Sequence, residues 1–363
     1  DILFRSPGWP VSCPGISEAL KKGKTELSSP LNLFFAICKT KKIIGVSGTK
    51  GKGTTASLIY KIIKDSKQKA YLGGNIGISP LSFVDKIKKD DYVILELSSF
   101  QLEDISFSPY IAVITNLYKE HLKPADPNNP NFHKTYEKYW QAKLNIAKQK
   151  TNRYLVINEK LKTKIEKENL PGKIIYFSNL QIKSKLTGDY NQENIAAALK
   201  VAEIIKIKRR QAEKTIASFK NLEHRLELVN DINGVKYFNN SFSTTPESTI
   251  LDLKSFSSPI IPIAGGADKG ASFKNLAKEI KKKTKFLILL PGIGSDKIKK
   301  ELSLIKFPSQ KLQLVNDMSE ALKFAKREAI KGDIILLSTG CASFGIFKNY
   351  KERGKLFKKY ARE

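Results

Sequence analysis

A chain of 363 residues, 41% hydrophobic and 27% charged, can bury more than one core, and its length sets an expectation of two or three globular domains. The longest apolar runs, such as 110–114 and 286–290, are strand-length, far below the roughly 20 residues of a membrane-spanning helix, and no secretory leader is visible. Lys and Arg outnumber Asp and Glu by 64 to 35, a formal charge of +29 that raises nucleic-acid binding as a possibility. The lysines are spread along the chain without a nucleic-acid motif, so a solvated basic surface that attracts anionic small molecules is the reading taken. Cys13, Cys38 and Cys341 are far apart, lack metal-type spacing, and fit reduced thiols in a cytoplasm.

Residues 1–40 carry Pro7, Pro10, Pro14 and Pro30 and cannot complete a domain alone. Position 1 is Asp, so an initiator and further sequence are expected upstream. An apolar run at 43–47 predicts a strand, and Ala56, Ile59, Ile62 and Ile63 recur at helical spacing, predicting a helix over 54–66. Between them lies GTKGKGTT, residues 48–55. Backbone N–H groups of a Gly-rich turn and the positive end of a helix dipole both face an anion there, and Lys52 adds a formal charge. The stretch reads as a phosphate-binding loop with two departures: no glycine stands five residues before Gly51, and Gly53 occupies the usual place of a magnesium-ligating Ser or Thr. Thr54 or Thr55 is left to supply that hydroxyl.

Further strands are expected near 91–97, 110–115, 153–157 and 173–177, with helices near 135–149 and 191–206. Such alternation means a parallel α/β fold. YVILELSSFQLE places Glu96 at a strand end, from which a carboxylate can reach magnesium beside a phosphate loop, although such a residue is commonly only a solvated edge. NLYKEHLKP brings Asn116, Glu120 and His121 to the same edge, and a single loop histidine is by itself more often a surface residue than a ligand. ASFKNLEHRLELV reads as a hinge, because a helix ends near Phe219 and a strand pattern begins near Leu226. Beyond it, apolar runs at 259–263, 285–290 and 333–337 alternate with helical stretches near 247–254, 273–282, 317–330 and 347–361, a second α/β domain.

GTKGKGTT, GGNIG at 73–77, ELSSFQLE at 96–103, EHL at 120–122, QAKLNI at 141–146, NQEN at 191–194, EHRLELV at 223–229 and STGCASFGIFKNYKERG at 338–354 together resemble the ATP-dependent Mur ligases. ELSSFQLE and CASF carry most of the resemblance to the branch that adds D-glutamate. The implied fold is α/β: a remnant of an N-terminal UDP-binding domain at 1–40, a central P-loop-type parallel-sheet domain at 41–221 that binds ATP, and a Rossmann-like C-terminal amino-acid-binding domain at 222–363. The implied reaction is amide formation: ATP phosphorylates the carboxylate of UDP-N-acetylmuramoyl-L-alanine, and the amine of glutamate attacks the acyl phosphate. A cytoplasmic monomer is implied, with no specific nucleic-acid partner and no membrane.

The resemblance implies roles residue by residue. Gly48, Thr49, Lys50, Gly51, Lys52, Gly53, Thr54 and Thr55 hold the phosphates of ATP; Glu96 and a Thr hydroxyl, Thr54 or Thr55, hold one magnesium ion; His121 contributes to a second. Lys143 would be carbamylated, turning a cation into an oxygen ligand for magnesium, whereas by its residues alone a lysine in YEKYWQAKLNIAKQ would be solvated. Asn191 and Asn194 match adenine-side positions, or are ordinary helix caps. His224 and Arg225 match residues that face ATP when the domains close, and Thr244, Lys269, Ser343, Phe344 and Tyr350 match positions that bind the amino acid. Ser6 matches the SPG turn of the UDP-binding domain, and Asn75, Ser98 and Gln101 lie on the muramoyl-alanine side.

One stretch departs from the family. Where the D-glutamate branch commonly reads Asn-Asp-Ser-Lys-Ala-Thr-Asn, this chain reads Asn239-Asn240-Ser241-Phe242-Ser243-Thr244-Thr245, without the carboxylate and the lysine. Phe242 would be either core packing or a substrate contact. Three other readings stand beside the D-glutamate ligase: a Mur-like ligase for L-glutamate or another amino acid, a folylpolyglutamate-synthase-like enzyme, against which ELSSFQLE and CASF argue, and a basic ATP-dependent nucleic-acid-binding protein.

Overall fold

The computed structural model describes residues 1–122, 130–188, 190–268 and 270–363. The chain divides into two compact units, one of Asp1–Lys185 and Tyr190–Phe219 and the other of Leu186–Asp189 and Lys220–Glu363.

The first unit opens with β1 (Ile2–Phe4) and β2 (Glu26–Ser28), which pair in parallel. Its main sheet contains β3 (Ile43–Ser47), β4 (Ala70–Gly74), β5 (Tyr92–Glu96), β6 (Ile111–Ile114), β7 (Tyr154–Asn158) and β8 (Lys173–Phe177). They lie in the order β4-β5-β3-β6-β7-β8, every pair parallel. All five residues of β3 and all four of β6 are buried, which is why these strands read as continuous apolar runs rather than as alternating ones. The chain passes from β3 outward to β4 on one side and later to β6 on the other, so the strand order reverses at β3. Ligands bind at the carboxyl edge of such a reversal, and the loops that follow β3, β5 and β6 are those carrying the predicted phosphate and metal residues.

The second unit adds β9 (Glu227–Ile232), β10 (Val235–Asn239), β11 (Ile260–Ala264), β12 (Leu287–Leu289), β13 (Leu312–Leu314) and β14 (Ile334–Leu337), in the order β13-β12-β11-β14-β10-β9. Five of these strands are parallel, and β9 runs antiparallel to β10 at the edge. The sequence reading sees only the start of this hairpin near Leu226. Its turn is Asn233-Gly234, with φ of 53° and 80°, the left-handed pair that a two-residue hairpin demands. Expected helix ends shift by a few residues elsewhere: the stretch near 135–149 forms an α-helix over Tyr136–Leu144 followed by a 3-10 turn over Asn145–Ala147. Among the described residues no helix is long and apolar enough to cross a membrane, and all three cysteines are free.

One buried cation organises the carboxyl edge of the second sheet. Arg353, in the helix Tyr350–Tyr360, is fully buried and donates from Nε to Ser241 Oγ at 3.0 Å, from Nη2 to the Ser241 carbonyl at 2.8 Å and from Nη1 to the Cys341 carbonyl at 3.2 Å. Burial lowers its pKa to about 10, while the Cys341 thiol is pushed up to about 12 by burial. The loop after β10 is thereby fastened to the loop after β14. Replacing Arg353 with Met strips the buried Ser241 carbonyl of the guanidinium and leaves the Cys341 carbonyl only the Thr339 hydroxyl at 2.9 Å, and the expected loss is about 3 kcal/mol, read from urea denaturation; a loss under about 1 kcal/mol would show that the two loops hold each other without it.

Candidate functional site

The loop after β3 is shaped by glycine. Gly48 has φ of 140°, and a Cβ there would lie 2.0 Å from Thr115 Oγ1; Gly51 has φ of 82°, and a Cβ there would lie 2.1 Å from Asn194 Oδ1. Neither position admits a side chain. The loop is pinned from β6: the Thr49 amide donates to the Asn116 carbonyl at 3.0 Å, the Lys50 amide to Asn116 Oδ1 at 2.8 Å, and Thr115 Oγ1 to the Lys50 carbonyl at 2.7 Å. Asn116 stood out in the sequence only as an edge residue; here it holds the loop.

Two lysines converge on this loop. Lys52 Nζ donates to the carbonyls of Gly48 and Thr49, each at 3.1 Å, and Lys143 Nζ donates to the same Gly48 carbonyl at 2.8 Å. Lys143 is 1% exposed, which overturns the solvated-helix reading. Its ammonium lies 4.6 Å from the centre of the Tyr139 ring, one helical turn away, and Tyr139 Oη meets Thr49 Oγ1 at 3.0 Å. Burial first, then the nearby charge of Lys52, pushes the Lys143 pKa well below the ordinary lysine value. Lys50 instead pairs with Glu120, Nζ to Oε1 at 2.8 Å. Burial raises the Glu120 carboxyl, but Lys50, His121 and Lys52 outweigh it and leave the pKa below its ordinary value.

Glu96, at the end of β5, is buried; Oε1 accepts from Asn75 Nδ2 at 3.1 Å, while Oε2 has no hydrogen-bond partner among the described residues. An orphaned buried carboxylate oxygen beside a phosphate-type loop fits a hard cation. Gly53 and Thr54 are buried in the first turn of the helix Lys52–Asp65. Thr55 Oγ1 donates to Asn194 Oδ1 at 3.2 Å. Asn194 Nδ2 also donates to Asn191 Oδ1 at 2.8 Å. Both asparagines are buried inside the helix Tyr190–Ile204 rather than capping it.

His121 has φ of 58° and packs edge-on to Phe100 with ring centres 5.0 Å apart. Desolvation, opposed by Glu120 and aided by Lys143 and Lys52, lowers its pKa to about 4. His133, absent from the sequence reading, is buried, stacks on Phe100 at 4.9 Å and meets Ser99 Oγ through Nε2 at 2.9 Å. Burial, with His121 and Lys143 nearby, also holds it at about 4. No local pattern announces a lone histidine, whereas the i, i+4 spacing of Tyr139 and Lys143 could have flagged that pair.

On the loop after β5, Ser98 donates to Gln101 Oε1 through its amide at 2.9 Å and its hydroxyl at 3.1 Å. Gln101 lines a cavity of about 260 Å³ with Arg5, Ser29, Gly74 and Asp104. Arg5 pairs with Asp104 at 2.7 Å and with Glu103 at 3.2 Å, tying the N-terminal segment to the ELSSFQLE loop. Ser6 is exposed, and its carbonyl accepts from the Trp9 amide at 3.1 Å.

The second unit gathers its own set. His224 is buried with φ of 62°; its Nδ1 accepts from Asn239 Nδ2 at 3.0 Å, and burial lowers its pKa despite Glu223 and Glu227. Asn239 Oδ1 accepts from the Ser241 amide at 3.0 Å, which orients the amide and places the imidazole proton on Nε2. Arg225 lies over the ring of Phe242, and Tyr350 meets that ring edge-on. Phe242 is 39% exposed, so the core-packing reading does not hold. Thr244 is half-buried, Ser343 buried and Phe344 exposed, on the two loops that Arg353 joins. Lys269 lies outside the described residues.

Comparison with known proteins matches residues 46–179 to the Mur ligase middle domain and residues 224–341 to the Mur ligase glutamate ligase domain. The chain is 38% identical over 394 residues to the UDP-N-acetylmuramoylalanine--D-glutamate ligase of Acetivibrio thermocellus, covering 99% of this chain and 82% of that protein. It is also 38% identical over 391 residues to the enzyme of that name from Clostridium tetani, covering 100% and 82%. In fold it is similar to the MurF ligase of Thermotoga maritima solved with ADP, with a TM-score of 0.67 and 18% identity over 99% of this chain and 88% of that one. The bifunctional folylpolyglutamate synthase/dihydrofolate synthase of Yersinia pestis, solved with AMPPNP and a manganese ion, matches with a TM-score of 0.67 and 12% identity over 91% and 92%.

The depressed pKa of His224 makes the second unit acid-sensitive. An unfolded chain protonates this imidazole near its ordinary value, about 6.5, while the folded chain resists until a lower pH. Below pH 6.5 the unfolded state therefore binds the extra proton, and stability falls as pH falls toward the folded value. His224→Gln is expected to flatten that fall in urea denaturation series; an unchanged slope would place the acid sensitivity elsewhere.

Proposed function

The chain belongs to the Mur ligase family, and from that membership we propose that it joins D-glutamate to UDP-N-acetylmuramoyl-L-alanine, consuming ATP, in the cytoplasm and as a monomer without nucleic-acid or membrane partners. The observation that carries the chemistry is the convergence of Lys52 and Lys143 on the Gly48 carbonyl beside the orphaned oxygen of Glu96. A carboxylate that attacks a γ-phosphate is one anion approaching another, and the barrier falls when fixed cations neutralise the phosphate oxygens. Lys52 is held across the loop by the Gly48 and Thr49 carbonyls, where its charge would face the phosphates. The substrate carboxylate oxygen forms the new bond to phosphorus as ADP leaves; the glutamate amine then attacks the acyl carbon, and inorganic phosphate departs.

Glu96 and Thr54 would hold one magnesium ion, and His121 with a carbamylated Lys143 a second; bound there, the ions supply charge neutralisation at the phosphates. Lys143 suits carbamylation because its depressed pKa favours the neutral amine, the form that adds carbon dioxide. His224 and Arg225 serve the nucleotide, Asn191 and Asn194 the adenine side, and Thr244, Lys269, Ser343, Phe344 and Tyr350 the amino acid. Asn75, Ser98, Gln101 and Ser6 serve the sugar nucleotide. Relatives with D-glutamate in their names favour that amino acid.

Incubation with ATP, UDP-N-acetylmuramoyl-L-alanine and a panel of amino acids, followed by mass spectrometry, is expected to yield the D-glutamate adduct with release of ADP. Preferential ligation of L-glutamate or alanine would sink the D-glutamate assignment.

Lys143→Arg keeps a long basic side chain but cannot form a carbamate, so it is expected to lose most turnover. It is also expected to lose the carbamate carbon signal that ¹³C-bicarbonate gives in the unaltered protein by NMR. A fully active arginine variant would return Lys143 to a purely structural role.

A further inference from the structure

Phe242 stands where the D-glutamate branch commonly carries a lysine, on the loop between β10 and the helix Pro246–Lys254. The guanidinium carbon of Arg225 lies 3.7 Å from the centre of the Phe242 ring, a face-on stack. Tyr350 meets the same ring edge-on, with centres 5.1 Å apart and planes at 87°. The Phe242 amide donates to the His224 carbonyl at 3.1 Å, which fixes the ring's root against the turn that carries Arg225. That turn has His224 and Leu226 in the left-handed region, with φ of 62° and 51°. A long, flexible cation on such a turn gains a defined direction from a flat aromatic face. A lysine at 242 would instead set a second positive charge against the guanidinium.

We propose that Phe242 is a positioning residue that orients the Arg225 guanidinium and, through its edge-on contact, links it to Tyr350. The proposal rests on the ligase reading above, in which Arg225 serves the nucleotide and Tyr350 the amino acid. One ring then connects the two sides of the reaction, and the lysine missing from the motif is replaced by a device that aims a cation already present.

The test is a double-mutant cycle read by calorimetric titration with AMPPNP and magnesium, using Phe242→Leu, Phe242→Trp, Arg225→Ala and the Phe242→Leu/Arg225→Ala pair. Leucine keeps apolar bulk but removes the aromatic face; tryptophan keeps the face. The leucine variant is expected to bind AMPPNP about two- to fivefold more weakly, the scale of an exposed cation–aromatic contact. Tryptophan is expected to retain affinity, and the leucine change to cost nothing further once Arg225 is alanine. Wild-type affinity in Phe242→Leu, undiminished affinity in Arg225→Ala, or losses that multiply in the pair would each overturn the proposal. Titration needs no turnover, so it decides the role of Phe242 even if the unaltered protein fails to ligate D-glutamate, a result that would count against the ligase reading instead.

Discussion

Two lysine ammonium groups, Lys52 and Lys143, donate to a single carbonyl oxygen, that of Gly48, and one of them is wholly removed from water. Like charges so close in a poorly solvated place repel strongly, and the arrangement persists only because carbonyls, the Tyr139 face and the carboxylates of Glu96 and Glu120 surround it. The depressed pKa of Lys143 expresses that tension: its proton is the cheapest charge to remove. A site held in this state favours an incoming polyanion or a lysine turned into an oxygen ligand. Both outcomes fit the phosphoryl transfer onto a carboxylate proposed above.

The fold supplies this concentration of charge through the reversal of strand order at β3. Adjacent strands deliver Glu96 from β5 and Thr115 and Asn116 from just beyond β6 to either side of the glycine loop. Asn194 then closes on Gly51 from the helix Tyr190–Ile204, so the backbone of the loop is determined from three directions. Glycine is required at 48 and 51 because Thr115 and Asn194 occupy the space a side chain would take. The absent earlier glycine of the usual motif is physically unremarkable, since position 46 is a buried valine inside β3.

Much of this was legible in the sequence because it is written in local patterns. The buried parallel strands announce themselves as apolar runs, and the phosphate loop by its glycines between strand and helix. Lys143 was read through resemblance, although its i, i+4 spacing from Tyr139 was a local signal; its burial follows from a tertiary contact with the loop. His133 and Arg5 were not legible at all. Each acts through partners far along the chain, His133 through Ser99 and Arg5 through Glu103 and Asp104, and no spacing rule reaches that far.

The departure at 239–245 has a physical answer in the second unit that the motif alone could not give. Asn240, where the branch commonly has a carboxylate, donates to Asp252 Oδ2 at 2.7 Å, and Ser338 Oγ donates to the same oxygen at 2.6 Å. The buried negative charge is therefore carried on the helix Pro246–Lys254, one layer below the loop, and an amide at 240 is what satisfies it; a second carboxylate there would leave two buried anions opposed. At 242 the missing lysine is answered by a ring that faces Arg225. Both residues thus answer their immediate neighbours: an amide at 240 meets the Asp252 carboxylate, and a ring at 242 meets the Arg225 guanidinium. A motif read letter by letter sees only the two missing charges, whereas the contacts show what each replacement side chain meets.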